Sequence, residues 1–142
     1  MVRIMASGVF DLLHPGHLHF LREARKLGDE LVVVVARDST AKRNGKTLIF
    51  DEKERLKMVS ELRVVDRAVL GHESDIFRTV ADLKPDIIAL GFDQKFDPEE
   101  IERKSREIGV NLKVARISRY TYSMASSSRI RERLLEEIEG NH

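Results

Sequence analysis

The run Leu31-Val32-Val33-Val34-Val35-Ala36 constrains the fold of this chain more than any other segment. An unbroken apolar stretch of that length and β-branched content forms a strand covered on both faces, the situation of a parallel sheet packed between helices. Its flanks agree. Before it, Leu18, Leu21, Ala24 and Leu27 recur at helical spacing over residues 17–27, and Gly28-Asp29 makes a turn. Val2-Arg3-Ile4-Met5 reads as an earlier buried strand.

The alternation continues to the end of the chain. Asp51, with Glu54 three residues on, caps a helix whose apolar positions are Leu56, Met58, Val59 and Leu62. Ala68–Gly71 is a short strand, and Ile76, Val80 and Leu83 mark a helix ended by Lys84-Pro85. Asp86–Leu90 is a buried strand followed by Gly91. Pro98–Ile108 is a helix closed by Gly109, Leu112–Ile117 a last strand and Arg129–Ile138 a last helix. Five strands separated mostly by helices predict an α/β fold, a doubly wound five-stranded parallel sheet of Rossmann-like type, in one domain over residues 1–142.

Ligands of such sheets bind beyond the carboxyl ends of the strands. There the loops 7–16, 37–50, 71–75, 91–97 and 117–128 would share one edge, and the first carries the densest chemistry, Gly8-Val9-Phe10-Asp11-Leu12-Leu13-His14-Pro15-Gly16-His17. A strand, a glycine-bearing turn and a helix begun by Pro15 offer an anion free backbone N–H groups and the positive end of a helix dipole. Phosphate is the expected ligand. His14 and His17, three residues apart, face one side if the second lies on the first helical turn. They would act as paired donors to a phosphate whose charge grows during displacement. Buried or surface histidines without such a role are the plain alternative. A zinc pair is disfavoured because no third His or Cys stands at ligand spacing, so no residue is assigned to a metal. Asp11 is read as structural, holding the loop by accepting backbone N–H bonds. Residues 37–47 read as a polar basic loop.

Composition removes other classes. With 25 Lys and Arg against 24 Asp and Glu, the net charge of +1 gives no polybasic surface for nucleic acid or membrane. Aromatics at 6% without a basic stripe argue further against an RNA-binding role. The absence of cysteine excludes disulfides and thiolate chemistry. No secretory leader or membrane-spanning run is found, which predicts a cytoplasmic protein.

The segment Gly8–His17 resembles the signature of the nucleotidyltransferase family that includes the cytidylyltransferases, Gly-Xaa-Phe-Asp followed by His-Xaa-Gly-His. Val9 stands where that family usually has threonine, so it offers phosphate only its backbone N–H. Ser126-Ser127-Ser128-Arg129-Ile130-Arg131 resembles the second family signature, a Ser/Thr-rich entry to the last helix. Within the family, the turn 27–31, Ala36-Arg37-Asp38 and Gly91–Asp97 look most like the archaeal FAD synthetases.

That resemblance implies transfer of AMP from ATP to FMN, with Mg²⁺ as the divalent metal. A cytidylyltransferase using CTP and glycerol 3-phosphate is the alternative, and a non-catalytic nucleotide-binding module a remoter one. It also implies roles for His14, His17, Lys46 and Arg129 in catalysis, with Lys42 and Arg43 as alternatives to Lys46. Nucleotide contacts would come from Val9, Phe10, His14, Pro15, Gly16, His17, Asp93, Tyr120, Ser127 and Ser128. The acceptor phosphate would fall to Arg55 or Arg119, and Phe92, Phe96, Tyr120 and Tyr122 would line an apolar slot for FMN. Family members are commonly dimeric, so a homodimer is expected.

Overall fold

The computed structural model describes residues 1–73, 75–118 and 127–140, the side chains of 127–130 and 139–140 excepted. Its strands are β1 (Arg3–Gly8), β2 (Glu30–Val35), β3 (Arg67–Leu70), β4 (Ile87–Leu90) and β5 (Lys113–Arg116). All neighbours pair parallel, in the order β3-β2-β1-β4-β5. The helices are α1 (Pro15–Arg25), α2 (Asp38–Arg43), α3 (Glu52–Ser60), α4 (Ile76–Leu83), α5 (Pro98–Glu107) and α6 (Ser127–Gly140). The chain winds outward from β1 to β3, crosses back through α4 and winds outward again through β4 and β5. The order therefore reverses beside β1, which is where a doubly wound sheet opens its crevice.

Strand pleating divides the core. Ile4, Ala6, Leu31, Val33, Val35 and Ala89 face one layer with Leu21 and Ala24 of α1 and Val59 of α3. Met5, Val32, Val34, Ile88 and Leu90 face the other, with Val80 and Leu83 of α4 and with Val110 and Leu112. The continuous valine run of β2 is thus needed on both sides at once.

Local capping sets the helix boundaries. Asp51, Asp75 and Asp97 each accept a backbone N–H of the helix they begin. Gly109 closes α5 at φ +83°, where a side chain would be strained, and Val110 N–H reaches back to the Ser105 carbonyl at 2.9 Å. Gly28 is required by a close approach, since a Cβ there would lie 2.8 Å from the Val2 carbonyl.

Several sequence expectations change. Ser7 and Gly8 extend β1 instead of opening the loop, because β2 is long enough to pair with both. The segment 37–47 holds the short helix α2, anchored by Asp38 N–H on Glu52 Oε1 at 3.0 Å. Glu52 thereby ties the start of α3 to the start of α2. Glu102 of α5 likewise accepts the Val114 N–H of edge strand β5 at 3.0 Å.

Arg55 does not reach for an acceptor phosphate, being fully buried. Its guanidinium donates to Val9 O at 2.8 Å, Phe50 O at 3.1 Å and Asp38 Oδ1 at 2.7 Å. It holds the Asp38 carboxyl below the usual carboxylate range. Removing it strands three acceptors, so Arg55→Met should lower unfolding free energy by about 3 kcal/mol, read from urea denaturation.

Candidate active site

The cleft at the switch point has a volume of about 400 Å³. Val9, Phe10, Asp11, His14, Gly16, His17, Lys46 and Asp93 line it, together with His19, Phe92, Gln94 and Arg131. Sequence segments that lie far apart are thereby brought together at the carboxyl edge of β1.

The turn after β1 is shaped by Phe10. Its φ of 55° is unfavourable for a bulky residue and belongs to a class of strain worth about 1–3 kcal/mol. The ring folds back over Gly8, where a Cβ would approach it to 2.9 Å, and is buried in the α1-side core. Bonds on both sides hold this conformation. Arg55 takes the Val9 carbonyl, and the buried Asp11 carboxylate accepts Ile49 N–H at 2.9 Å and Phe50 N–H at 2.9 Å. The structural reading of Asp11 is borne out, but the backbone it holds is the segment that follows Lys46. Arg131 of α6 completes the arrangement, donating to Asp11 Oδ2 at 2.7 Å and to Thr47 O at 3.1 Å.

His14 is the N-cap of α1, and its Nδ1 accepts the Gly16 N–H at 3.0 Å. A ring nitrogen that accepts cannot carry the proton, so neutral His14 is the Nε2–H tautomer. His17 does fall on the first helical turn. The two rings stack at 3.8 Å between centroids, 29° from parallel, and Phe10 lies 5.3 Å from His17. Burial pushes His17 down to about 3, with His14 lowering it further and the Leu12 backbone opposing. Burial lowers His14 too. Both imidazoles are neutral near pH 7 in the free protein.

One expectation for this turn fails. Gly16 N–H is taken by His14, the His17 and Leu18 N–H groups bond the His14 carbonyl at 3.0 and 3.3 Å, and Pro15 has none. The first turn of α1 thus has no free amides to offer an anion; what remains is the helix dipole and the imidazole N–H groups. Pro15 itself is exposed and outside the cleft lining.

Of the basic segment, Lys46 lines the cleft, while Arg43 is turned to the Glu73 carbonyl. On the opposite wall Gln94 accepts Gly91 N–H at 2.8 Å and donates to Ser7 O at 3.2 Å, pinning the Asp93 loop to β1. Arg116 grips the same loop through the carbonyls of Gly91, Gln94 and Phe96. Sequence reading missed the roles of Gln94, Arg116 and Arg131. Only the position of Arg131 within the serine-arginine signature hinted at one. Ser127, Ser128 and Arg129 enter α6, but their side chains lie outside the described residues, as do Arg119, Tyr120 and Tyr122 altogether.

A cleft with the His14 N–H donor, the His17 imidazole stacked beside it, a nearby lysine and a helix N-terminus suits a polyphosphate. Comparison with known proteins agrees. The Cytidylyltransferase-like family model matches residues 5–133. An FAD synthase of Thermoplasma acidophilum is 61% identical over 138 residues, 97% of each chain. One from Thermoplasma volcanium is 59% identical with the same coverage. A solved Thermoplasma volcanium structure, described as a lipopolysaccharide core biosynthesis protein, has a TM-score of 0.83 at 62% identity, covering 84% of this chain and 98% of that one. With matches that run through both the β1 turn and α6, this chain belongs to the cytidylyltransferase-like family of nucleotidyltransferases.

Proposed function

We infer that this protein is an FMN adenylyltransferase, an FAD synthase working as one domain in the cytoplasm. The choice of substrates is carried by its full-length likeness to FAD synthases at about 60% identity. Among the described residues no helix is long and apolar enough to cross a membrane.

In the reaction an FMN phosphate oxygen attacks the α-phosphorus of ATP. The bond from that phosphorus to the bridging oxygen breaks, and its electron pair leaves with pyrophosphate. Attacker, centre and leaving group are all anionic, so catalysis consists of alignment and charge neutralisation. His14 and His17 donate to oxygens that gain charge in the five-coordinate transition state, and Lys46 neutralises the phosphates. Ser127, Ser128 and Arg129 at the start of α6 add hydroxyls and a fixed charge, while Val9, Phe10 and Gly16 shape the turn. Asp93 contacts the nucleotide, as does Tyr120.

ATP is taken as its magnesium complex. Asp11 is engaged by Ile49, Phe50 and Arg131, and the ion would arrive largely with the nucleotide. No nucleic acid is involved. Leu134, Leu135 and Ile138 on the exposed side of α6 give a homodimer an apolar contact. Light scattering should then return twice the 16.3 kDa chain mass, and a monomer would remove the dimer from this reading.

Pyrophosphate release should occur with ATP and FMN. Release only with CTP and glycerol 3-phosphate would replace the reading with a cytidylyltransferase. His17→Ala should reduce kcat by about 100-fold with little change in the KM for ATP, and unchanged turnover would remove its role. The neutral histidines add a pH effect: a bound polyanion raises their pKa values, so protons are taken up on binding and ATP affinity increases as pH falls toward 6. Calorimetry in buffers of different ionisation enthalpy reads that uptake directly, and no uptake would mean the imidazoles stay neutral in the complex.

A further inference from the structure

A second, apolar pocket of about 170 Å³ lies on the α4–α5 side of the sheet. Phe77 and Val80 of α4, Ile101 of α5, Ile88 and Leu90 of β4, and Phe96 form its walls. It meets the catalytic cleft at Ser7, which lines both. Phe96 belongs to neither core cluster and is 46% exposed, a large aromatic left at the mouth of an apolar slot. Its backbone is nevertheless fixed, because Arg116 Nη2 donates to the Phe96 carbonyl at 3.0 Å.

The two cavities differ in chemistry. The cleft, with its histidines, Lys46 and Asp93, suits phosphates and ribose. The slot, at 170 Å³, lies below the roughly 300–1,000 Å³ of a complete small-molecule site, and it offers apolar walls. It fits a part of a ligand whose remainder lies elsewhere. FMN is such a molecule, a planar apolar ring joined by a polyol to a phosphate. We propose that the slot between α4 and α5 receives the flavin ring of the acceptor against Phe96, with the ribityl chain passing Ser7 so that the phosphate reaches the cleft. This rests on the FMN adenylyltransferase reading and adds to it the binding site of the acceptor.

The expectation divides the two substrates between the two cavities. Phe96→Ala should raise the KM for FMN about fivefold, the loss of one aromatic contact, and leave the KM for ATP within twofold. Riboflavin, which lacks the phosphate, should compete with FMN in the natural protein and compete less well in Phe96→Ala. Since the chain has no tryptophan, Phe96→Trp supplies a contact quencher of the flavin's own emission, with Met58→Trp on the other layer as control. Quenching in Phe96→Trp and not in Met58→Trp supports the slot. An unchanged KM for FMN, or equal emission in the two tryptophan variants, overturns it while the enzyme assignment stands. A natural protein that releases no pyrophosphate from ATP and FMN overturns the assignment, and the flavin slot with it.

Discussion

The Asp11 carboxylate joins three separate parts of the chain. It sits in the turn after β1, receives two backbone N–H groups from the segment after Lys46, and meets the Arg131 guanidinium of α6. A buried carboxylate with fewer donors would be costly. With these donors it is satisfied, and the same bonds fix the turn after β1, the lysine segment and the last helix relative to one another. Arg55 works beside it from below, tying the Val9 and Phe50 carbonyls and Asp38 into one buried fork. The left-handed Phe10 persists because both of its neighbours are held in this way.

That frame serves a site whose histidines are neutral at rest. Burial suppresses protonation of the stacked His14 and His17, and His14 lowers His17 further. The cost of desolvating two cations is avoided, and the His14 ring is held in one orientation by the Gly16 N–H. The first turn of α1 spends its amides on His14, so the usual backbone contribution of a helix N-terminus is exchanged for a rigidly oriented imidazole. The helix dipole persists, as a sum over the peptides of α1.

Much of this was legible in the residues. The valine run of β2 declared a two-sided sheet, and Asp51, Pro98 and Gly109 declared helix ends, because capping is a local interaction. His14 and His17 were legible as a pair because their spacing on one helix fixes their approach. Arg55 was misread because burial of a charged side chain depends on which carbonyls the fold delivers to it, and those come from residues distant in sequence. The same limit hid Gln94 and Arg116, whose partners are main-chain atoms with no signature. Segment 37–47 looked like a loop because the Glu52 side chain that anchors α2 lies outside it.

The sequence by itself determined the α/β alternation, the turn after β1 and the identity of the paired histidines, since each rests on periodicity or spacing within a few residues. Only the tertiary structure decided that β1 stands at the reversal of strand order and that Lys46, Asp93 and Arg131 converge on it. It also decided that both imidazoles are neutral and that an apolar slot opens beside Ser7. Those properties depend on desolvation and on contacts between elements, and both arise when the layers pack.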